Sequence, residues 1–264
     1  MSEAYLASPY YHALAEALNR RGLGLSDLCN PDIVIARRVL HDYGAIFVAA
    51  DSVLPPPVCV FTSEAQVTQF QAAAGWKAMS IGEAVIELQP AATDALLRAR
   101  SLAQAEGLDV TPRDGAEGAR RNYDDTVRLW NSRFLPALDH WQRAGRLTQA
   151  QIDQLQALPI NDQVAEVLEL EKQGIFFSKD LSKSVLYSIA APGTSQHVAM
   201  LAFDVNEFFN PRVREIMAAQ GWFQTVLSDL PHFTFLGLAE SELPNRGLTA
   251  VEVNSQKFWI PDVV

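Results

Sequence analysis

The sequence predicts an α+β fold in which a small antiparallel sheet is flanked by helices. Three observations carry that expectation. Long stretches with apolar residues at helical spacing fill the middle of the chain, from AATDALLRARSLAQAEG at 91–107 through most of 118–174. Short alternating runs, HFTFLGL from His232 and LTAVEVNSQKFWIP from Leu248, read as strands instead. A hydrophobic content of 48% over 264 residues supports a sizeable core, in one large domain or two modest ones.

In chain order, residues 9–21 form a helix with Tyr10, Leu14, Ala17 and Leu18 on one face and Gly22 as its stop. A second helix spans 31–43, opening with Pro31 in the first turn and ending before Gly44. AIFVAA at 45–50 reads as a buried strand, the prolines at 55–57 break it, and VCVFT at 58–62 resumes extended backbone. Ser63 is a natural N-cap for the helix that follows, and the strand near AVIELQ closes an N-terminal α/β extension over 1–88. The helix over 91–107 stops at Gly107, and LDVTP at 108–112 reads as a strand. Helices then dominate, with Thr148 capping one of them and Gly174 ending the series. Near the C-terminus, Asn254-Ser255 turns one strand into the next.

Composition excludes several functions. With 21 Lys and Arg against 31 Asp and Glu, the formal net charge of −10 argues against a nucleic-acid surface and against attraction to anionic lipid. No apolar run approaches the length of a transmembrane segment, and MSEAYLASPYYHALAEALNRRG lacks the charged start, apolar middle and cleavage site of a secretion signal. The chain therefore works in the cytoplasm or starts after a removed signal. Cys29 and Cys59 make no C-x-x-C metal motif and are free to pair in an oxidising compartment or to stay as buried thiols.

Chemistry-bearing residues concentrate between Pro192 and His232, where His197, Asp204, Asp229 and His232 fall within one short stretch. Two histidines and a carboxylate suffice as protein ligands for a catalytic zinc, which keeps a further position for water, and a second carboxylate can handle protons. Backbone geometry limits how His197 and Asp204 meet. On one strand they would stand roughly 23 Å apart on opposite faces. On one helix the separation would be roughly 10 Å, near the limit for two extended ligands. Pro192, Gly193, Thr194 and Ser195 instead favour a turn, so His197 folds back toward a strand end carrying Asp204. Pro231 holds Leu230 extended and places His232 at the start of a second strand. His12, His41 and His140 have no such company and read as ordinary core or surface residues.

Two rival chemistries fit less well. Ser195, His197 and Asp204 are the residue types of a hydrolase triad, but a nucleophile and base two residues apart seldom reach each other, and G-x-S-x-G is absent. Non-heme iron also takes two histidines and a carboxylate, though with the first histidine and the carboxylate much closer in sequence.

The pattern S-x-H, six residues, D, then later an acidic residue, two residues and a histidine resembles the zinc D-alanyl-D-alanine carboxypeptidases and dipeptidases that trim bacterial cell-wall peptides. Ser195, His197, Asp204 and His232 match it, with PGTSQH and AFDV as flanks. The resemblance implies zinc on His197, Asp204 and His232, and a role for Ser195 in holding the substrate's terminal carboxylate. The base it implies is a glutamate in E-x-W-H; here Asp229-Leu230-Pro231-His232 stands there, one methylene shorter and without the tryptophan. GARRNYDDTVRLW, from Gly118, aligns loosely with the upstream S-G-Y-R-S-Y motif. That alignment makes Arg121 the residue for the oxyanion or substrate, with Arg120 and Arg113 as competitors. It further implies a zinc peptidase-like domain over 89–264, holding a helical insert at about 131–185. The implied activity is hydrolysis of a peptide amide bond in peptidoglycan, outside the cytoplasm; the alternative is a metal-retaining binding or structural module with little or no catalysis.

Overall fold

The structure, a computed structural model, describes residues 7–30 and 33–263. It is an α+β fold with small antiparallel sheets. The N-terminal part contains helices α1 (Pro9–Arg20), α2 (Leu25–Leu28), α3 (Ala36–Asp42) and α4 (Glu64–Ala74), then the hairpin β1 (Lys77–Ile81) and β2 (Ala84–Leu88). Helix α5 (Pro90–Ala105) follows, and then α6 (Tyr123–Arg143), α7 (Gln149–Ala157) and α8 (Ile160–Lys172). The remainder holds β3 (Ala202–Asp204), α9 (Pro211–Ala219), β4 (Trp222–Phe223), β5 (His232–Phe235), and the hairpin β6 (Leu248–Val253) and β7 (Gln256–Pro261).

Local signals account for most boundaries. Ser63 and Thr148 each accept a hydrogen bond from the backbone N–H three residues on, relieving an orphaned donor of the first turn. Asn122 and Asp125 form a reciprocal capping box at the start of α6. Asn254 and Ser255 adopt φ of +51° and +59°, the left-handed pair that a two-residue hairpin turn requires.

Some expected elements take other forms. AIFVAA is not a strand: Gly44–Val48 is a tight 3-10 helix buried throughout, because a short apolar run carries no period that separates a buried strand from a buried helical turn. VCVFT runs without a ladder of its own, and LDVTP contributes only a single bridge from Pro112 to Val205. The second helix begins at Ala36; Pro31, its expected start, lies outside the described residues.

The sheet that carries Asp204 and His232 has the order β3-β5-β4, all antiparallel. Its register sets Asp204 opposite His232, Phe203 opposite Phe233 and Ala202 opposite Thr234. Phe203, Phe233, Trp222 and Phe235 pack into one hydrophobic cluster that also takes in Tyr10 and Leu14 of α1 and Trp130 and Phe134 of α6. Buried amides tie the N-terminal elements to the segment before β3. Gln71 of α4 donates to the carbonyls of Val198 (3.0 Å) and Arg121 (2.9 Å), and Gln89 donates to that of Ala199 (2.8 Å). The Phe61 N–H donates to the Gly193 carbonyl at 3.0 Å. Close by, Cys29 and Cys59 form a disulfide that joins the end of α2 to the strand-like segment running alongside Gly193.

Candidate metal centre

His197, Asp204 and His232 come together at the base of a cleft, each offering one ligand atom, with those atoms within 4.8 Å of one another. Each arrives by a different device. His197 lies in a short 3-10 helix, Gln196–Ala199, which ends at Met200 in the left-handed conformation (φ +56°). That reversal turns the chain from His197 into β3, so the histidine folds back toward Asp204 as the Pro-Gly-Thr-Ser turn requires. Asp204 and His232 are directly opposed across the β3–β5 ladder, where facing side chains share one side of the sheet. The Asp204 carboxylate oxygen Oδ1 lies 3.3 Å from His197 Nε2 and 3.2 Å from His232 Nδ1.

The outer ring nitrogens decide what occupies the space between these atoms. His197 Nδ1 faces the Ala119 carbonyl at 3.2 Å, and a carbonyl can only accept, so Nδ1 carries the proton. His232 Nε2 faces Gln196 Oε1 at 2.8 Å. The Gln196 amide cannot be reversed, because its nitrogen donates to the Tyr43 carbonyl at 2.9 Å and its oxygen also accepts from Thr234, itself bonded to Thr225. His232 therefore donates through Nε2. In the neutral tautomers so fixed, Nε2 of His197 and Nδ1 of His232 both present lone pairs to an anionic oxygen. Such a constellation is repulsive unless a cation, a proton or a metal ion, sits among the three atoms.

Electrostatics agree with ligand character. Burial, and then the nearby Arg121 charge, push the His197 pKa down to about 4, against the pull of Asp204, so this ring is neutral near pH 7. Burial opposes ionisation of Asp204, but the charge and hydrogen bonds of His197 and then His232 outweigh it and hold the carboxyl well below its usual range. We take the ring as neutral and Asp204 as ionised, since His197 is only 2% exposed and Arg121 already supplies Asp204 with a positive partner. Arg121 Nη2 donates to Asp204 Oδ2 at 3.2 Å, and its Nε donates to the Glu117 carbonyl at 2.9 Å.

The cleft above the centre has a volume of about 150 Å³, and Arg121, Ser195 and Asp229 line it together with the histidines. The Ser195 hydroxyl makes no hydrogen bond among the described residues. Asp229 sits in a turn whose backbone bonds to Val226 and His232. Its surface is open to solvent while protein crowds around the carboxylate; that crowding, and then Asp204, raise its pKa against the pull of His232 and Arg121. Arg120 turns away, onto Gln71, Glu87 and the Trp76 ring, and Arg113 lies over Phe208.

Sequence reasoning passed over Gln196 and Tyr43. Gln196 stands between Ser195 and His197, and that adjacency was the only available hint. Replacing Gln196 with Ala is expected to weaken metal affinity about 10–100-fold, as loss of a ligand-orienting partner typically does. Competition against a coloured chelator measures it, and an affinity equal to wild type would remove Gln196 from the account. No protein-family model matches this chain, and no curated protein or solved structure matches it either.

Proposed function

We propose that the centre holds zinc and that the chain hydrolyses a peptide amide bond, acting on peptidoglycan-type peptides as the D-alanyl-D-alanine carboxypeptidases it resembles do. The observation that carries the reading is the convergence of lone pairs at 3.2 and 3.3 Å. Ligands about 2.0–2.1 Å from a tetrahedral zinc stand roughly 3.3–3.4 Å from one another, so each histidine nitrogen already stands from the Asp204 oxygen at about the spacing of a tetrahedral edge. Nitrogen and carboxylate donors with a solvent-reached cleft above them also suit a catalytic site.

Bound zinc would supply Lewis acidity and bring the pKa of a water toward neutrality. The remaining work belongs to side chains. Asp229, at the cleft wall, takes a proton from the attacking water and returns it to the leaving amine. Arg121 holds Asp204 in place and brings positive charge to the side of the cleft where negative charge develops. Ser195, with its free hydroxyl, binds the substrate carboxylate. A cell-wall substrate puts the site of action in the periplasm or outside the cell, and the Cys29–Cys59 disulfide suits an oxidising compartment.

A second reading, a metal-holding module that binds peptide without efficient hydrolysis, draws on the shorter reach of Asp229. The test common to both is release of D-alanine or another fragment from peptidoglycan peptides by zinc-loaded protein. We expect release; its absence across such peptides would sink the hydrolase reading.

A further inference from the structure

We propose that Tyr43, contributed by the N-terminal part of the chain, is a catalytic residue whose hydroxyl donates a hydrogen bond to the oxyanion formed on the substrate carbonyl. This rests on the hydrolase reading above. Tyr43 follows α3 and lines the same cleft as His197, His232 and Asp229. The residue is only 9% exposed. Its hydroxyl nevertheless has no hydrogen-bond partner among the described residues, and it is not sealed from solvent. A phenol in a buried tyrosine normally finds a partner, so one left open at a cleft wall is available to a ligand.

Arg121 is the obvious oxyanion donor, yet its guanidinium is engaged by Asp204 Oδ2 and by the Glu117 carbonyl. Tyr43 supplies a neutral donor beside it. Burial first, then Asp42 and Asp229, push its pKa up well above the usual phenol range, so the hydroxyl keeps its proton through the working range. A neutral donor also adds no charge against the cationic centre. The same residue acts twice on the site, since its backbone carbonyl fixes the Gln196 amide that orients His232.

Those two roles separate cleanly in Tyr43→Phe, which keeps the ring and the backbone carbonyl and removes the hydroxyl alone. We expect wild-type zinc content and melting temperature, KM within a few-fold, and a kcat lower by about 100-fold, the usual loss for one oxyanion donor. Binding of a phosphinate isostere of D-alanyl-D-alanine to cobalt-loaded protein, followed by visible absorption, gives a second readout independent of turnover. The variant should bind this tetrahedral anion at least about 10-fold more weakly. Equal kcat in wild type and variant would overturn the role of Tyr43 and leave the hydrolase reading standing. If the wild type cleaves no peptide but binds the phosphinate, and the variant binds it more weakly, the Tyr43 contact stands and the hydrolase reading falls. Failure of the wild type to bind the phosphinate would overturn the proposal.

Discussion

Replacing Asp229 with Asn is expected to lower peptide hydrolysis by about 10²–10⁴-fold, the range for loss of a general base, while leaving metal content unchanged. Asp229 is not among the grouped ligands His197, Asp204 and His232, but it lines the cleft directly above them. Its carboxylate pKa is raised by crowding, which favours a base able to hold a proton and release it. Single-turnover rates with zinc-loaded protein measure the loss, and an Asn variant as fast as wild type would remove Asp229 from the mechanism. Asp229→Glu then separates the two functional readings. A misplacement near 1 Å can cost about 100-fold, and one methylene moves the carboxylate by about that much. A large loss means that the cleft is built around aspartate. A large gain means that aspartate has weakened the enzyme and favours the binding module.

The second large effect is expected at Gly193, which takes no part in proton transfer. Its φ is +73°, and a Cβ added there would overlap the Phe61 carbonyl oxygen, which belongs to the backbone and has no rotamer by which to escape. Gly193→Ala therefore combines a left-handed backbone cost of roughly 1–2 kcal/mol with overpacking of roughly 1–3 kcal/mol. At about 2–4 °C per kcal/mol for a chain of this size, the melting temperature should fall by roughly 4–20 °C. The strain is delivered to the turn that leads into Ser195, Gln196 and His197, so metal affinity should fall with it. Calorimetry and metal titration on the same sample test this. An unchanged melting temperature would show that the Phe61–Gly193 pairing is not tight.

The parts of the site that rest on local backbone chemistry were legible in the sequence. Pro192 and Gly193 announced the turn that brings His197 round, Pro231 announced the start of β5, and alternation in HFTF set His232 on a strand. The helix caps at Ser63 and Thr148 were equally local. What escaped was either without period or distant in sequence. AIFVAA is apolar throughout, so nothing in it separates the observed 3-10 turn from a strand. Gln196 meets Tyr43 across 153 residues, and His197 meets Ala119 across 78, contacts that no window of sequence contains. The N-terminal part shows no motif of its own and is tied to the centre by hydrogen bonds of Tyr43, Phe61, Gln71 and Gln89.

All of this depends on whether a metal ion sits among His197, Asp204 and His232. Elemental analysis of protein purified without added metal, wild type beside His197→Ala, tests it directly. The arrangement of lone pairs predicts about one zinc per wild-type chain and none in the variant. No metal in the wild type, even after zinc is offered, would mean that a proton alone holds the three side chains together, and the proposed chemistry would fall with it.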